Sequence, residues 1–326
     1  MKAVVITRPG GAEVLELRER PVPDPGVDQI RVRVHASAVN RADVLQRMGN
    51  YPVPPGAPAD IAGIEYAGEV DALGPGAMLW KVGDRVMGIV GGGGHGEYAL
   101  VHEREAMRAP RAMPWENAAA IPEAFLTAYD ALFTRLDLRA GETLLVHAVG
   151  SGVGTAAVQL AKLSAAKVIG TARTADKLTR ATSLGLDVAV DASQRDWSED
   201  VLKIVANRGV DAILDLVGGN YLDGNLRVLG LKGRIVLVGL TAGRSAEFNM
   251  GMFLYKRATI VGTVLRARPL EEKISLAREF SERMVPLFES GKLKPVVDRV
   301  FPFEEIQSAH RLMESNKSFG KIVLKW

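Results

Sequence analysis

The sequence predicts an α/β protein in two parts, a β-rich domain and a doubly wound parallel sheet of six strands. Three observations carry this expectation. From residue 1 to about 122, short apolar runs are broken by Gly and Pro clusters, the pattern of a small barrel or partly open β domain. Beyond Trp115, strand-like and helix-like segments alternate, which calls for parallel strands joined by helices. Between Thr143 and Leu163 the chain reads TLLVHAVGSGVGTAAVQLAKL. That is a buried strand, a glycine turn and a small-residue helix, in the order a dinucleotide site requires.

The elements follow in order. Lys2–Thr7 and Leu15–Arg20 read as strands, and Pro21, Pro23, Pro25 and Gly26 break the chain after them. Gln29–Val34 alternates polar and apolar residues, as a half-exposed strand does. Asn40–Met48 has the spacing of a short helix, and Tyr51–Pro58 is a loop with four prolines. Gly63–Val70, Asp84–Val90 and Gly96–Val101 are strands, with the glycine run Gly91–Gly94 as a turn. Glu116–Ala120 and Leu126–Leu136 are helical.

In the second part the expected strands are Thr143–Val146, Lys167–Ala172, Asp187–Val190, Val210–Val217, Gly233–Val238 and Ala258–Val264. Helices at Asp176–Leu184, Trp197–Ala206 and Tyr221–Leu229 separate them. A charged helix (Leu270–Phe288), a strand (Arg299–Pro302), a helix (Phe303–Glu314) and a strand (Lys321–Lys325) remain. They lie past the sixth strand, so the chain is expected to return to its first domain. The expected division is 1–122 with 266–326, around 123–265.

Composition narrows the function. The chain has 326 residues, 47% apolar and 24% charged, an ordinary water-soluble balance. No apolar run approaches a membrane span, and MKAVVITRPGG is too briefly apolar for a signal peptide. A cytoplasmic protein without a membrane partner is expected. There are no cysteines, which excludes disulfides, thiolate catalysis and Cys-ligated zinc. The net charge of +3 is scattered, and nucleic-acid binding asks for a clustered basic face. No nucleic-acid partner is expected.

The glycine turn does not follow G-x-G-x-x-G strictly. With Gly154 as third glycine, the first place falls on Val149 and the second on Ser151. Ser151, Gly152, Val153 and Gly154 are still the candidate pyrophosphate cradle, at a helix start whose N–H groups and dipole suit an anion. An acid at the end of the second strand reads the ribose of NAD, and a basic residue there accommodates the 2′-phosphate of NADP. Here that place reads Gly170-Thr171-Ala172-Arg173-Thr174-Ala175-Asp176-Lys177. Arg173, Thr174 and Lys177 therefore point to NADPH.

At this point the sequence resembles a known family. ASAVNRAD (36–43), GIEYAGEV (63–70), VGDRVMG (82–88), AAAIPEAFLTAYDAL (118–132), VHAVGSGVGTAAVQLAK (146–162) and SFGKIVL (318–324) follow one another. In this order they are similar to the zinc-independent quinone oxidoreductases of the medium-chain dehydrogenase/reductase superfamily, across essentially the whole chain. The p53-inducible type is the closest-looking branch, and zeta-crystallin is more distant. The resemblance implies a GroES-like catalytic domain, a Rossmann domain and a homodimer.

Zinc-dependent members hold their metal with a Cys and a G-H-E motif. Here Asn40 stands at the Cys place and Gly63-Ile64-Glu65 replaces G-H-E. Ile64 offers no ligand, no metal site is expected, and alcohol oxidation loses its Lewis acid. The shifted glycine turn is implied to mark the same metal-free branch.

The resemblance further implies hydride transfer from NADPH to a quinone or enone, with Asn40 and Tyr51 as donors to the carbonyl oxygen. Thr127, Gly239, Leu240, Leu265, Arg266 and Asn316 are implied as cofactor contacts. Ala192 takes a place where relatives often carry a Tyr near the adenosine phosphate, so the NADPH assignment leans on Arg173, Thr174 and Lys177. Reduction of enoyl thioesters, NADPH sensing and RNA binding are the alternatives. The first would want a basic groove for CoA phosphates, which the sequence does not show.

Overall fold

The computed structural model describes residues 1–193 and 196–326. The chain forms two compact units, Met1–Leu126 with Leu265–Trp326, and Thr127–Val264. The first cut falls inside the helix Pro122–Tyr129, not at its start. Proline in the first helical turn needs no partner for its missing N–H, so this helix begins four residues before the Leu126 expected. It passes into a wider π-helical turn at Asp130–Arg135, where the expected single helix would have continued.

The second unit is a six-stranded parallel sheet. Its spatial order is Val188–Asp191, Lys167–Ala172, Thr143–Val146, Val210–Asp215, Leu229–Leu237, Thr259–Gly262. The order reverses direction between the first strand in sequence, Thr143–Val146, and the fourth, Val210–Asp215. The carboxyl ends at such a reversal are where open α/β sheets take ligands. Leu145, Ile169, Ile213 and Ile235 are fully buried in the sheet's core, consistent with continuous apolar strands covered on both faces.

The first unit contains a two-stranded ribbon, Lys2–Ile6 with Leu15–Glu19, and a seven-stranded sheet. The sheet centres on Gln29–Val39, longer than the expected Gln29–Val34. Its far half pairs with the C-terminal strand, Ile322 facing Val39 and Lys325 facing Ala36. Its near half pairs with Glu65–Leu73 and Tyr98–His102. The last residues of the chain thus fold into the first unit, and their register carries Lys321 to the end of the strand that leads into Asn40.

Candidate functional site

In the second unit the glycine turn departs from the fingerprint in a way the structure explains. Val149, fully buried, takes the first glycine's place. A Cβ on Gly170 in the neighbouring strand would lie 2.3 Å from Val149 Cγ1, so the second strand makes room for the valine. The left-handed turn is made one residue earlier, by Ala148 at φ 51°, and the Ala148 carbonyl accepts from the Ser151 N–H. Gly154 must be bare, since a Cβ there would lie 2.4 Å from that same carbonyl oxygen.

The helix Gly152–Leu163 then starts with Ser151 as its cap, the hydroxyl accepting from Gly154 N at 3.0 Å. The N–H groups of Gly152 and Val153 lie in the first turn, where no preceding helical carbonyl faces them. Bare backbone donors and the positive end of the dipole fit a dinucleotide pyrophosphate. Lys177 joins this turn, its stem lying over Gly150 so closely that a Cβ there would be 2.8 Å from Lys177 Cδ.

Arg173 and Thr174 are exposed at the end of the second strand. Thr174 begins the helix Ala175–Thr182 with no side-chain cap bond, leaving its hydroxyl free of that duty. Gly239 follows the fifth strand and packs on the Leu216 backbone, while Leu240 is half exposed. Thr127 is buried in the helix Pro122–Tyr129.

A polar network backs this sheet edge, built on His147, whose place at the end of the first strand suits a packed, hydrogen-bonded histidine rather than a base, with partners that the sequence does not reveal. His147 Nε2 lies 2.7 Å from Asn225 Oδ1, Asn225 Nδ2 donates to Asp215 Oδ2 at 2.8 Å, and His147 Nδ1 meets the Thr171 hydroxyl at 2.9 Å. With the Asn225 amide oriented by Asp215, its oxygen must accept from the imidazole, so Nε2 carries the proton and Nδ1 accepts. Burial keeps His147 below its ordinary value. It is a structural, neutral histidine between Trp197 and Tyr221.

In the first unit, Asn40 is drawn away from the role expected for it. Its amide nitrogen donates to Glu65 Oε1 at 2.7 Å and to the Ala38 carbonyl at 3.3 Å. Its oxygen accepts from Lys321 Nζ at 2.6 Å. Lys321 also lies 2.6 Å from Glu65 Oε1, and the second carboxylate oxygen accepts from the Glu123 N–H. Both N–H groups of the amide are thus engaged within the protein. The Asn40 backbone N–H is held by Asp43, as in a helix-capping box.

Tyr51 and Arg266 come together, the guanidinium 5.2 Å from the ring centroid. Burial foremost, then the Glu123 carboxylate, raises the Tyr51 phenol above its usual value despite Arg266. Tyr51 is therefore a protonated donor at neutral pH. Leu265 is buried beside Ile89, Leu126 and Leu276. Asn316 follows the helix Ile306–Ser315, and its side-chain oxygen accepts from Arg41. It adopts φ 57°, a conformation Asn tolerates.

Zinc does not fit these residues. The chain has no cysteine, Ile64 is buried apolar core, and the Glu65 carboxylate already holds the Lys321 ammonium. Among the described residues, no three His, Asp or Glu side chains are grouped to hold a metal. No helix among them is long and apolar enough to cross a membrane.

Comparison with known proteins places this geometry. Residues 152–287 match the family described as zinc-binding dehydrogenase, and residues 26–111 the alcohol dehydrogenase GroES-like domain. Human quinone oxidoreductase is 31% identical, over 99% of this chain and 97% of its own. A crystal structure of an NAD-dependent alcohol dehydrogenase is 35% identical with a TM-score of 0.88, each chain covered to 100%. A mycobacterial protein solved with NADPH is 28% identical with a TM-score of 0.88, again over 100% of both chains.

Proposed function

The chain belongs to the medium-chain dehydrogenase/reductase superfamily, on its quinone-oxidoreductase-like side, and from that premise we propose that it is an NADPH-dependent, metal-free quinone reductase. The acceptor is a quinone or a related α,β-unsaturated carbonyl. The fold is the superfamily's nicotinamide-dinucleotide fold, an α/β arrangement with a GroES-like β domain. Within the family we assign the chain to the p53-inducible type, on its ordered motifs.

The observation that carries the reading is the Lys321–Glu65–Asn40 cluster. An ammonium seated on the one carboxylate of the G-I-E segment leaves no open ligand set. This supports a substrate whose reduction needs no Lewis acid, and conjugated carbonyls meet that condition. Bound NADPH supplies a hydride. The protein's part is to position the reactants and stabilise the oxygen that gains charge.

Ser151, Gly152, Val153 and Gly154 would hold the pyrophosphate, with Arg173, Thr174 and Lys177 toward the 2′-phosphate. Thr127, Gly239, Leu240, Leu265 and Asn316 are proposed as further cofactor contacts. Tyr51, protonated at neutral pH, donates to the acceptor's carbonyl, and Asn40 shapes the pocket wall through Glu65 and Lys321. Following NADPH absorbance with naphthoquinones, ortho-quinones and enones tests the reading. Turnover of at least one class is expected, and tight NADPH binding with no turnover of any would refute it.

A further inference from the structure

We propose that Arg266 is a catalytic donor, its Nη1 reserved for the acceptor oxygen that becomes negative during reduction. This rests on the reductase reading and reassigns a residue expected to serve the cofactor.

Arg266 is only 4% exposed, and its guanidinium is fixed on two sides. Nε donates to the Gly91 carbonyl at 2.8 Å and Nη2 to Gln46 Oε1 at 2.8 Å. Gln46 is itself oriented, because its Nε2 donates to the Ala59 carbonyl at 3.2 Å. Nη1 is buried and has no hydrogen-bond partner among the described residues. A buried cationic donor left without an acceptor is costly, and such a group in a native protein calls for an explanation. The neighbouring Asp43 makes no hydrogen bond to it, and its carboxylate oxygens accept instead from the Asn40 and Gly63 N–H groups.

What lies over the guanidinium is the Tyr51 ring. Tyr51 opens a segment with no helix or strand, and Gly49 and Gly56, at φ 77° and 83°, flank and interrupt it. Nothing lies within 4 Å of where a Gly56 Cβ would be. Tyr51 can therefore give way to a second planar ring without disturbing a packed element. A quinone entering beside Tyr51 presents its carbonyl oxygen to Nη1, and the fixed guanidinium needs no reorganisation to receive it.

The electron count closes. A hydride from NADPH would form the new C–H bond at the electron-poor carbon as the donor C–H bond breaks, the conjugated π pair would move onto the carbonyl oxygen, and NADP+ would remain. The enolate oxygen is held by Arg266 and Tyr51 until a proton from water completes the product.

The test uses R266M and R266Q, with folding checked by circular dichroism. Two readouts are needed: NADPH-dependent turnover of 1,4-naphthoquinone, and binding of anionic 2-hydroxy-1,4-naphthoquinone against neutral 1,4-naphthoquinone in the presence of NADP+. Loss of a hydrogen bond to a charged group lowers kcat/KM for the quinone by about ten- to a hundred-fold. Binding of the anion falls more than that of the neutral quinone, while NADPH affinity stays within about two-fold. A parallel loss of NADPH affinity, or equal losses for anion and neutral quinone, would overturn the proposal. If the wild type reduces no quinone, the reductase reading fails, and the anion-to-neutral binding ratio still decides the role of Arg266. R266Q carries the test should R266M not fold.

Discussion

The Lys321 ammonium and the Glu65 carboxylate lie 2.6 Å apart, with their side chains 5% and 0% exposed. They come from opposite ends of the chain and meet because the last strand pairs with the strand that leads into Asn40. Removing one member of such a pair strands a buried charge, at a cost of about 3–5 kcal/mol. K321M and E65Q should each lower the urea unfolding free energy by that order. The double variant should recover a substantial part, and a strictly additive double variant would contradict the coupling.

A second prediction concerns the substituted glycine turn. G170A places a Cβ 2.3 Å from Val149 Cγ1, and such overpacking costs about 1–3 kcal/mol. It should destabilise the second unit and weaken NADPH binding by distorting the turn. Combining it with V149A should restore both in part, since the added Cβ also lies 2.7 Å from Leu186 Cδ1. Thermal unfolding and NADPH titration of the four proteins check this, and an unperturbed G170A would refute the compensation.

Much of the fold was legible in the sequence, in both units. Lys167–Ala172 and Lys321–Lys325 match the expected strands residue for residue, because buried β-branched runs between clear breakers leave little choice. The helix Met250–Lys256 was not foreseen. Its residues are apolar almost all round, with only Met252 and Phe253 packed partly buried against the core, so no amphipathic stripe marks it. It is held by Asn249 at its start and by Lys256 Nζ, which donates to the Leu226, Arg227 and Leu229 carbonyls.

The candidate site was legible only in part. The glycine turn stood out by type and spacing, and Tyr51 only by its place in the family pattern. The partners that decide their chemistry, Gln46, Glu65 and Lys321, are ordinary polar residues brought in from distant positions. Nothing local in the sequence predicts that the Asn40 amide is engaged by them.

Cofactor preference gives a third prediction. Arg173 is exposed and has no ion pair among the described residues, so its charge is available to a 2′-phosphate. R173E should raise the KM for NADPH by about ten- to a hundred-fold, the scale of a lost charged hydrogen bond. NADH, which lacks that phosphate, should change little. An unchanged ratio of the two cofactors would remove Arg173 from the site.

The fourth concerns pH. Burial holds His310 well below the ordinary histidine value and lowers His95, whose ring centroid is 6.3 Å from that of His310. The unfolded chain takes up protons near pH 6.5 while these folded imidazoles stay neutral. Their contribution is therefore intact above that pH and is lost as pH falls below it. Each contributes a slope of up to about 1.4 kcal/mol per pH unit. Urea unfolding between pH 7.5 and about 5 should show the decline, and H310Q should flatten it. A wild-type stability independent of pH over this window would contradict the assignment.

The most direct test of the central claim is the NADPH-dependent quinone reduction rate after exhaustive dialysis against a chelator, with metal content measured on the same sample. An undiminished rate in metal-depleted protein is expected, since Lys321 fills the place on Glu65 that a cation would need. A rate abolished by the chelator and restored by added zinc would contradict the account.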